Sequence, residues 1–415
     1  MESGDGPVNG NPVDILNRRN FLTAAGAAGL MIVKPAAVRG SQANSAVRIG
    51  LLGCGGRGTA VASGFLRNTT ARVVALADMF QDQLDAAKAG FGKEAPSIDP
   101  SQLFLGPKAF QEIANSKQVD MVIVTTPPYF HSEHLEAVVK AGKHVYVEKP
   151  VAVDVPGCKR VLTAGESAEG KLSLDVGFQL RMAPPFVELV KRVHAGAIGE
   201  IACGEAHYYC TFLAQRDLPN ASPAERRLRH WLHDRVLSGD ILVEQNIHVV
   251  DMCNWILRDH PIKAVGTGGR KGRNEEGDAW SHFSLTFYYP DDVHVTFSST
   301  QFGAKYRNDA GVSFFGVRGR CQTPYTGAVR IEGEEPWAWP PTSSSNIETA
   351  NDEKQKAFIE SITSGQFHNQ AASGVTAALS CIMGRTAAYT GKAVTWDEVY
   401  KSKETLDAKL NLERL

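Results

Sequence analysis

Six residues, Gly53-Cys54-Gly55-Gly56-Arg57-Gly58, constrain this chain most. They follow a strand-type run, Val47-Arg48-Ile49-Gly50-Leu51-Leu52, and precede Thr59-Ala60-Val61-Ala62, which suits a helix. Glycines at GxGxxG spacing between a strand and a helix serve three ends. The first permits a tight turn, the second lets the backbone approach a pyrophosphate, and the third lets helix and strand pack closely. The helix N-terminus then offers N–H donors and the positive end of its dipole. A second strand, Ala71-Arg72-Val73-Val74-Ala75-Leu76-Ala77, ends at Asp78. A carboxylate there accepts hydrogen bonds from an adenosine ribose and repels a 2′-phosphate, so NAD is expected rather than NADP.

The pattern repeats. Phe110–Ser116 reads as helix, and Val119-Asp120-Met121-Val122-Ile123-Val124 as a buried strand running into Thr125-Thr126-Pro127-Pro128. His131–Ala141 reads as helix, and His144-Val145-Tyr146-Val147 as a strand ending in Glu148-Lys149-Pro150. Strands alternating with helices predict a parallel, doubly wound α/β sheet of Rossmann type, with ligands beyond the C-terminal strand ends. The loop residues Gly53, Gly55, Gly56, Arg57 and Gly58, with Asp78, are therefore expected to line a dinucleotide. So are the strand-end residues Thr125, Thr126, Pro127, His131, Glu148 and Lys149. His131 and His134 share a helix face, but no third ligand accompanies them and no metal site is expected.

Composition narrows the class. A chain of 415 residues, 43% hydrophobic and 21% charged, is long enough for two domains with sizeable cores. Its formal net charge of -1 gives no pull toward nucleic acid or an anionic membrane. Seven scattered cysteines without CxxC spacing make neither a disulfide framework nor a zinc site. Near the start, Arg18-Arg19 precedes Phe21-Leu22, an Ala/Gly-rich apolar run and the small residues Ser41-Gln42-Ala43. That order is the order of an export signal, here of twin-arginine type, over residues 1–43. It predicts a periplasmic or otherwise exported protein. The apolar run is too short to span a bilayer, which takes about 20 residues.

The glycine loop, the Asp at the next strand end, the Thr-Pro strand end and Glu148-Lys149-Pro150, in that register, resemble the Gfo/Idh/MocA oxidoreductases. That family is named for glucose–fructose oxidoreductase and inositol dehydrogenase. The resemblance implies a Rossmann domain, here residues 44–170. It also implies a C-terminal α+β domain with a large open, mostly antiparallel sheet, here residues 171–415. It implies an NAD(P)-dependent oxidoreductase acting on a hydroxyl of a sugar, polyol or related ring, with Lys149 as a catalytic or substrate-orienting residue.

The second half agrees independently. Residues 200–212, 263–271, 280–290, 293–302, 311–321 and 328–332 are strand-like, with helices expected at 184–195, 240–257, 348–364 and 371–391. On a single helix over 240–257, Glu244, His248 and Asp251 fall on one face, where a carboxylate one turn before a histidine orients its ring and raises its basicity. The resembling family carries Asp, then His four residues later, beside the nicotinamide; this chain keeps the histidine and substitutes Glu244. Gln179 and Arg181, read in strand phase after 172–176, both face the cofactor or the sugar. Trp231, with its neighbouring arginines, suits packing against sugar C–H groups, so Lys149, Arg181, Trp231, Glu244 and His248 form the expected substrate set.

These features predict an exported NAD-dependent dehydrogenase of a sugar, cyclitol or glycoside, with tightly held cofactor. His248 is expected to take the hydroxyl proton while Lys149 polarises the oxygen. One rival is a glycosidase using NAD transiently through C3 oxidation and elimination. Another is a non-enzymatic sugar- or nucleotide-binding protein. A sheet face rich in Phe, Tyr and Val around Phe283–Tyr289 and Val293–Phe302 is expected to be exposed and to pair copies into a homodimer or homotetramer.

Overall fold

The computed structural model describes residues 46–92, 98–302, 308–340 and 345–415. The expected export signal lies outside them. Short branched-apolar runs form the first sheet: β1 (Arg48–Leu52), β2 (Arg72–Asp78), β3 (Leu103–Leu105), β4 (Met121–Val124), β5 (His144–Val147) and β6 (Leu174–Val176). All pairs are parallel, in the order β3-β2-β1-β4-β5-β6. Every residue of β4 is buried, as a sheet covered on both faces requires. The covering helices are α1 (Gly56–Asn68), α2 (Gln81–Phe91), α3 (Ala109–Asn115), α4 (Pro128–Lys140) and α5 (Val155–Ala168). The sheet extends past the expected boundary at residue 170, because β6 pairs with β5 through Val145 and Leu174.

After α6 (Pro184–His194) comes β7 (Ile201–Thr211), then α7 (Pro223–Arg229), α8 (Arg235–Ser238), α9 (Ile241–Glu244) and α10 (Ile247–Leu257). The rest of the second sheet is β8 (Lys263–Gly269), β9 (His282–Tyr288), β10 (His294–Phe302), β11 (Asp309–Gly316), β12 (Gly319–Gln322), β13 (Arg330–Gly333) and β14 (Trp337–Ala338). Helices α11 (Ala350–Ser364) and α12 (Ala371–Thr390) precede the last strand, β15 (Val394–Thr395), and α13 (Trp396–Lys401). The nine strands run β14-β13-β12-β11-β7-β10-β9-β8-β15, antiparallel except for β7 with β10. A turn at Tyr289-Pro290-Asp291-Asp292 joins β9 to β10, with Asp291 and Asp292 at φ 57° and 59°.

Two expectations are corrected here. Phe283, Leu285, Phe287, Tyr289, Val293, Val295 and Phe297 are buried, not exposed. Period-two alternation sends them to one face, and α12 covers it: a Cβ on Gly384 would lie 2.8 Å from the Phe287 ring. The open face instead carries Ser284, Thr286, Thr296 and Ser298. The helix expected over 240–257 is also interrupted. Gln245 N and Asn246 N both donate to Ile241 O at 2.9 Å, and this extra residue in the turn separates α9 from α10.

The late helices pack back on the first domain. Phe358 of α11 meets Phe65 and Tyr146 edge-on at 6.2 and 6.0 Å, and Asn68 donates to Asp352 at 2.7 Å. Phe358, Phe65 and Tyr146 share one apolar cluster, and a second, joined through α12, runs from Val122 and Val147 to Phe287 and Phe297.

Candidate active site

The loop from β1 to α1 is shaped by contact. Gly53 sits at φ 94°, and a Cβ there would lie 2.7 Å from the Thr125 backbone. A Cβ on Gly58 would lie 2.0 Å from Gly53 O, so the third glycine does permit the close packing expected of it. Gly56 faces open space, and α1 has no side-chain cap and no acidic residue in its first turn. Its first N–H groups are thus open to an anion. They border a cavity of about 420 Å³ that Asp78, Thr125, Thr126 and Pro127 also line. Asp78 accepts hydrogen bonds from Cys54 N at 2.6 Å and Phe80 N at 3.0 Å, which fixes its carboxylate at the end of β2. Burial raises its pKa against those bonds. An uncapped helix end, a glycine whose missing side chain leaves room, and a fixed carboxylate at the neighbouring strand end fit a dinucleotide.

Arg57 and Glu148 meet each other. The Arg57 guanidinium donates to Glu148 Oε1 at 2.9 and 2.6 Å, tying the glycine loop to the end of β5. Thr125 Oγ1 donates to Gly53 O at 2.7 Å, while Thr126 Oγ1 lies 3.0 Å from His134 Nδ1. His134 stacks between Phe110 and Phe130, and burial pushes its pKa down to about 3. No group of three or more side chains suited to a metal occurs among the described residues.

Lys149 reaches across to the second domain. Its Nζ donates to Glu244 Oε1 at 2.8 Å and to Glu244 O at 2.6 Å. His248, on the first turn of α10, is only 7% exposed and packs edge-on to Phe178 at 6.4 Å. Burial, then Lys149, then Arg57 hold its pKa well below the usual histidine value. This corrects the expected Glu244–His248 couple. The extra residue between α9 and α10 shifts the helical phase, and the Glu244 carboxylate goes to Lys149. Asp251 likewise serves another partner: Arg181 binds it with two hydrogen bonds of 2.8 Å.

Gln179 and Arg181 lie in a 3₁₀ turn, Gln179–Met182, rather than in strand phase. Gln179 Oε1 is enclosed and has no hydrogen-bond partner among the described residues. Trp231 lines the cavity on the Asp78 side and packs in an apolar cluster with Phe80 and Phe130. Sequence reasoning missed Tyr208 and Tyr325, whose rings meet edge-on at 5.9 Å. Burial raises the Tyr208 phenol, with Cys210 and Glu244 adding to it, and Tyr325 OH is enclosed without a partner among the described residues. Tyr208, in β7, looks like core in sequence, and nothing in its spacing or in that of Tyr325, in the loop after β12, marks either one. Arg229 was missed as a bridge between domains. It pairs with Asp82 at 2.8 and 3.0 Å and lies 3.8 Å above the Phe80 ring.

Comparison with known proteins matches two family models in tandem. The model described as an oxidoreductase family with an NAD-binding Rossmann fold, GFO/IDH/MocA, covers residues 47–176. The GFO/IDH/MocA C-terminal domain covers residues 186–322. An inositol 2-dehydrogenase of Rhizobium meliloti is 29% identical over 240 residues, 58% of this chain and 64% of that protein. A glycosyl hydrolase family 109 protein of Solibacter usitatus is 29% identical over 209 residues, 47% of this chain and 46% of that protein. The solved structure of an aldose-aldose oxidoreductase from Caulobacter crescentus has the same fold. Its TM-score is 0.67 at 19% identity, covering 85% of this chain and 100% of that one.

Proposed function

Because the chain belongs to the GFO/IDH/MocA oxidoreductase family, we propose that it is an NAD-dependent dehydrogenase acting on a secondary hydroxyl of a cyclitol, sugar or glycoside. The observation that carries this reading is the meeting of Lys149 with the α9–α10 segment, beyond the C-terminal ends of the dinucleotide sheet. A nicotinamide dinucleotide, when bound, supplies the hydride chemistry. Gly53, Gly55, Gly56 and Asp78 would hold it, beside Thr125, Thr126 and Pro127. His248, kept neutral at physiological pH, accepts the proton of the substrate hydroxyl. The Lys149 ammonium polarises the oxygen that loses it. Glu244 fixes that ammonium, and Asp251 fixes the Arg181 guanidinium with two hydrogen bonds.

Similarity to an inositol 2-dehydrogenase supports a polyol as substrate. The test incubates the purified protein with NAD or NADP and a panel of inositols, aldoses and methyl glycosides, and follows reduced cofactor. Turnover with NAD on a ring hydroxyl is expected; no turnover on any member would reject the reading. Similarity to a glycosyl hydrolase family 109 protein favours a second reading, an NAD-dependent glycosidase. Release of an aryl leaving group from an aryl glycoside, without net NAD reduction, distinguishes it. Arg18-Arg19 and the run after it support twin-arginine export to the periplasm with the cofactor already held.

A further inference from the structure

His131 is 1% exposed, on the first turn of α4, and both of its ring nitrogens face backbone carbonyls. Nε2 lies 2.6 Å from Thr126 O, and Nδ1 lies 2.7 Å from Pro150 O. A carbonyl oxygen has no proton to give, so each contact is a hydrogen bond only if the ring nitrogen donates. A neutral imidazole carries one N–H and turns a lone pair on its other nitrogen. One of the two oxygens would then face that lone pair at hydrogen-bond distance.

The two carbonyls belong to different parts of the site. Thr126 lies in the strand-end loop that lines the dinucleotide cavity, and Pro150 follows Lys149 directly. We propose that His131 is an imidazolium in the folded protein and acts as a positioning residue, a doubly donating clip that sets the Lys149 loop against the dinucleotide loop. The clip's effect on turnover rests on the role given above to Lys149, whereas its protonation state does not.

The groups around the ring oppose one another. Burial is the largest influence and, with the Lys149 ammonium, holds the pKa of the ring below the usual histidine value, so the clip rests on the contact geometry alone. The carbonyls of Pro150 and Thr126 and the Glu148 carboxylate favour the charged form. His134, one turn along α4, is itself held neutral and brings no competing charge at physiological pH. Hydrogen bonds from a charged donor are about twice as strong as neutral ones, and this ring makes two of them at short range. The geometry is that of the doubly protonated ring.

The experiment uses the full chain with ¹⁵N-labelled histidine. His131 is assigned by its nuclear Overhauser contacts to Thr126 and Pro150 and followed from pH 6 to 9. Two protonated ring nitrogens at pH 7.5 are expected. A pyridine-type nitrogen on His131 at that pH overturns the imidazolium. A second measurement tests the positioning. His131→Asn offers one donor group and reaches at most one carbonyl, so kcat should fall on the order of 10- to 100-fold, the scale set by misplacing a reacting group by about 1 Å. KM for the polyol should stay within about twofold, since the loop shifts without removing a substrate contact. An unchanged kcat in folded His131→Asn overturns the positioning role. If that variant does not fold, His131→Gln is read in the same way, and the spectrum of the unaltered protein decides the protonation state.

Discussion

Lys149 Nζ holds both the carboxylate and the backbone carbonyl of Glu244, so one cation from the first domain clamps the end of α9 in the second. The bond to the carbonyl depends on the local path of the chain and not on the side chain at 244. Glu244→Ala therefore leaves Lys149 one anchor, whereas changing Lys149 removes both.

Lys149→Met should lower turnover about 100-fold or more, the usual contribution of a donor that stabilises charge developing on a reacting oxygen. It should also raise the pKa of His248, because Lys149 is second only to burial in depressing it. The titration of His248 by NMR in Lys149→Met checks the second point without any substrate. An unmoved His248 would mean that the two groups do not sense each other.

The glycine loop, Asp78, the Thr-Pro strand end and Lys149 were legible because each is fixed by backbone conformation at a strand end, and backbone demands leave a local imprint in sequence. The expected face of Glu244, His248 and Asp251 was not. It assumed regular helix through Gln245 and Asn246, and a single additional residue in that turn redirected Glu244 to Lys149, while Asp251 is taken by Arg181 from outside the helix. The exposed face of the large sheet was misjudged for another reason. Strand alternation tells which residues share a face, but α12, which decides which face is covered, arrives from far along the chain.

Acid should unfold this protein from a rather high pH. His134 is depressed to about 3, His233 to about 4 and His248 well below its usual value, burial being the first cause in each case. The unfolded chain titrates these groups near 6.5, so below that pH it binds more protons than the folded one. Their contribution is complete above about 6.5 and falls as pH drops through that value toward the folded pKa, by about 1.4 kcal/mol per pH unit for each histidine. Urea midpoints between pH 7.5 and 5 should therefore decline, and His134→Phe should make the decline shallower. Identical slopes in the two proteins would remove His134 from the account.

Asp78 does two things, since its carboxylate lines the cavity while holding Cys54 N. Asp78→Ala should weaken NAD about 10-fold or more, as loss of a hydrogen bond to a charged group does. NADP should lose less, because the repulsion of its 2′-phosphate goes too. Calorimetric titration with each cofactor reads the ratio. A protein that binds NADP in preference to NAD before any substitution would contradict the assignment of Asp78.

Arg229 crosses from the second domain to pair with Asp82 and cover Phe80 at the Asp78 end of the cavity. A dinucleotide seated there would lie beside this contact. Arg229→Ala should then speed its release, while Lys149 and His248 keep their surroundings. Stopped-flow displacement of the reduced cofactor, monitored by its fluorescence, measures the rate. A release rate equal to that of the unaltered protein would show that the bridge does not gate the site.

The last prediction concerns assembly. The open face of the second sheet is hydroxyl-rich, with Ser284, Thr286, Thr296 and Ser298 around a groove of about 360 Å³. Glu205 and His207 stand at one side of it. Such a face offers few apolar anchors, so pairing between copies would rest on shape and on many weak hydroxyl contacts. In a twofold arrangement each residue near the axis meets its own copy. One substitution then acts twice, and Thr296→Glu places two carboxylates in the same interface. If copies pair through this face, light scattering at micromolar concentration should find a dimer, or a tetramer made of dimers, for the unaltered chain and a smaller species for Thr296→Glu. Thermal stability measured on the separated species should change little, because Thr296 points away from the core that α12 covers. Unaltered protein that is already monomeric with cofactor bound would reject the pairing, and an assembly of unchanged size in Thr296→Glu would move the interface to another surface.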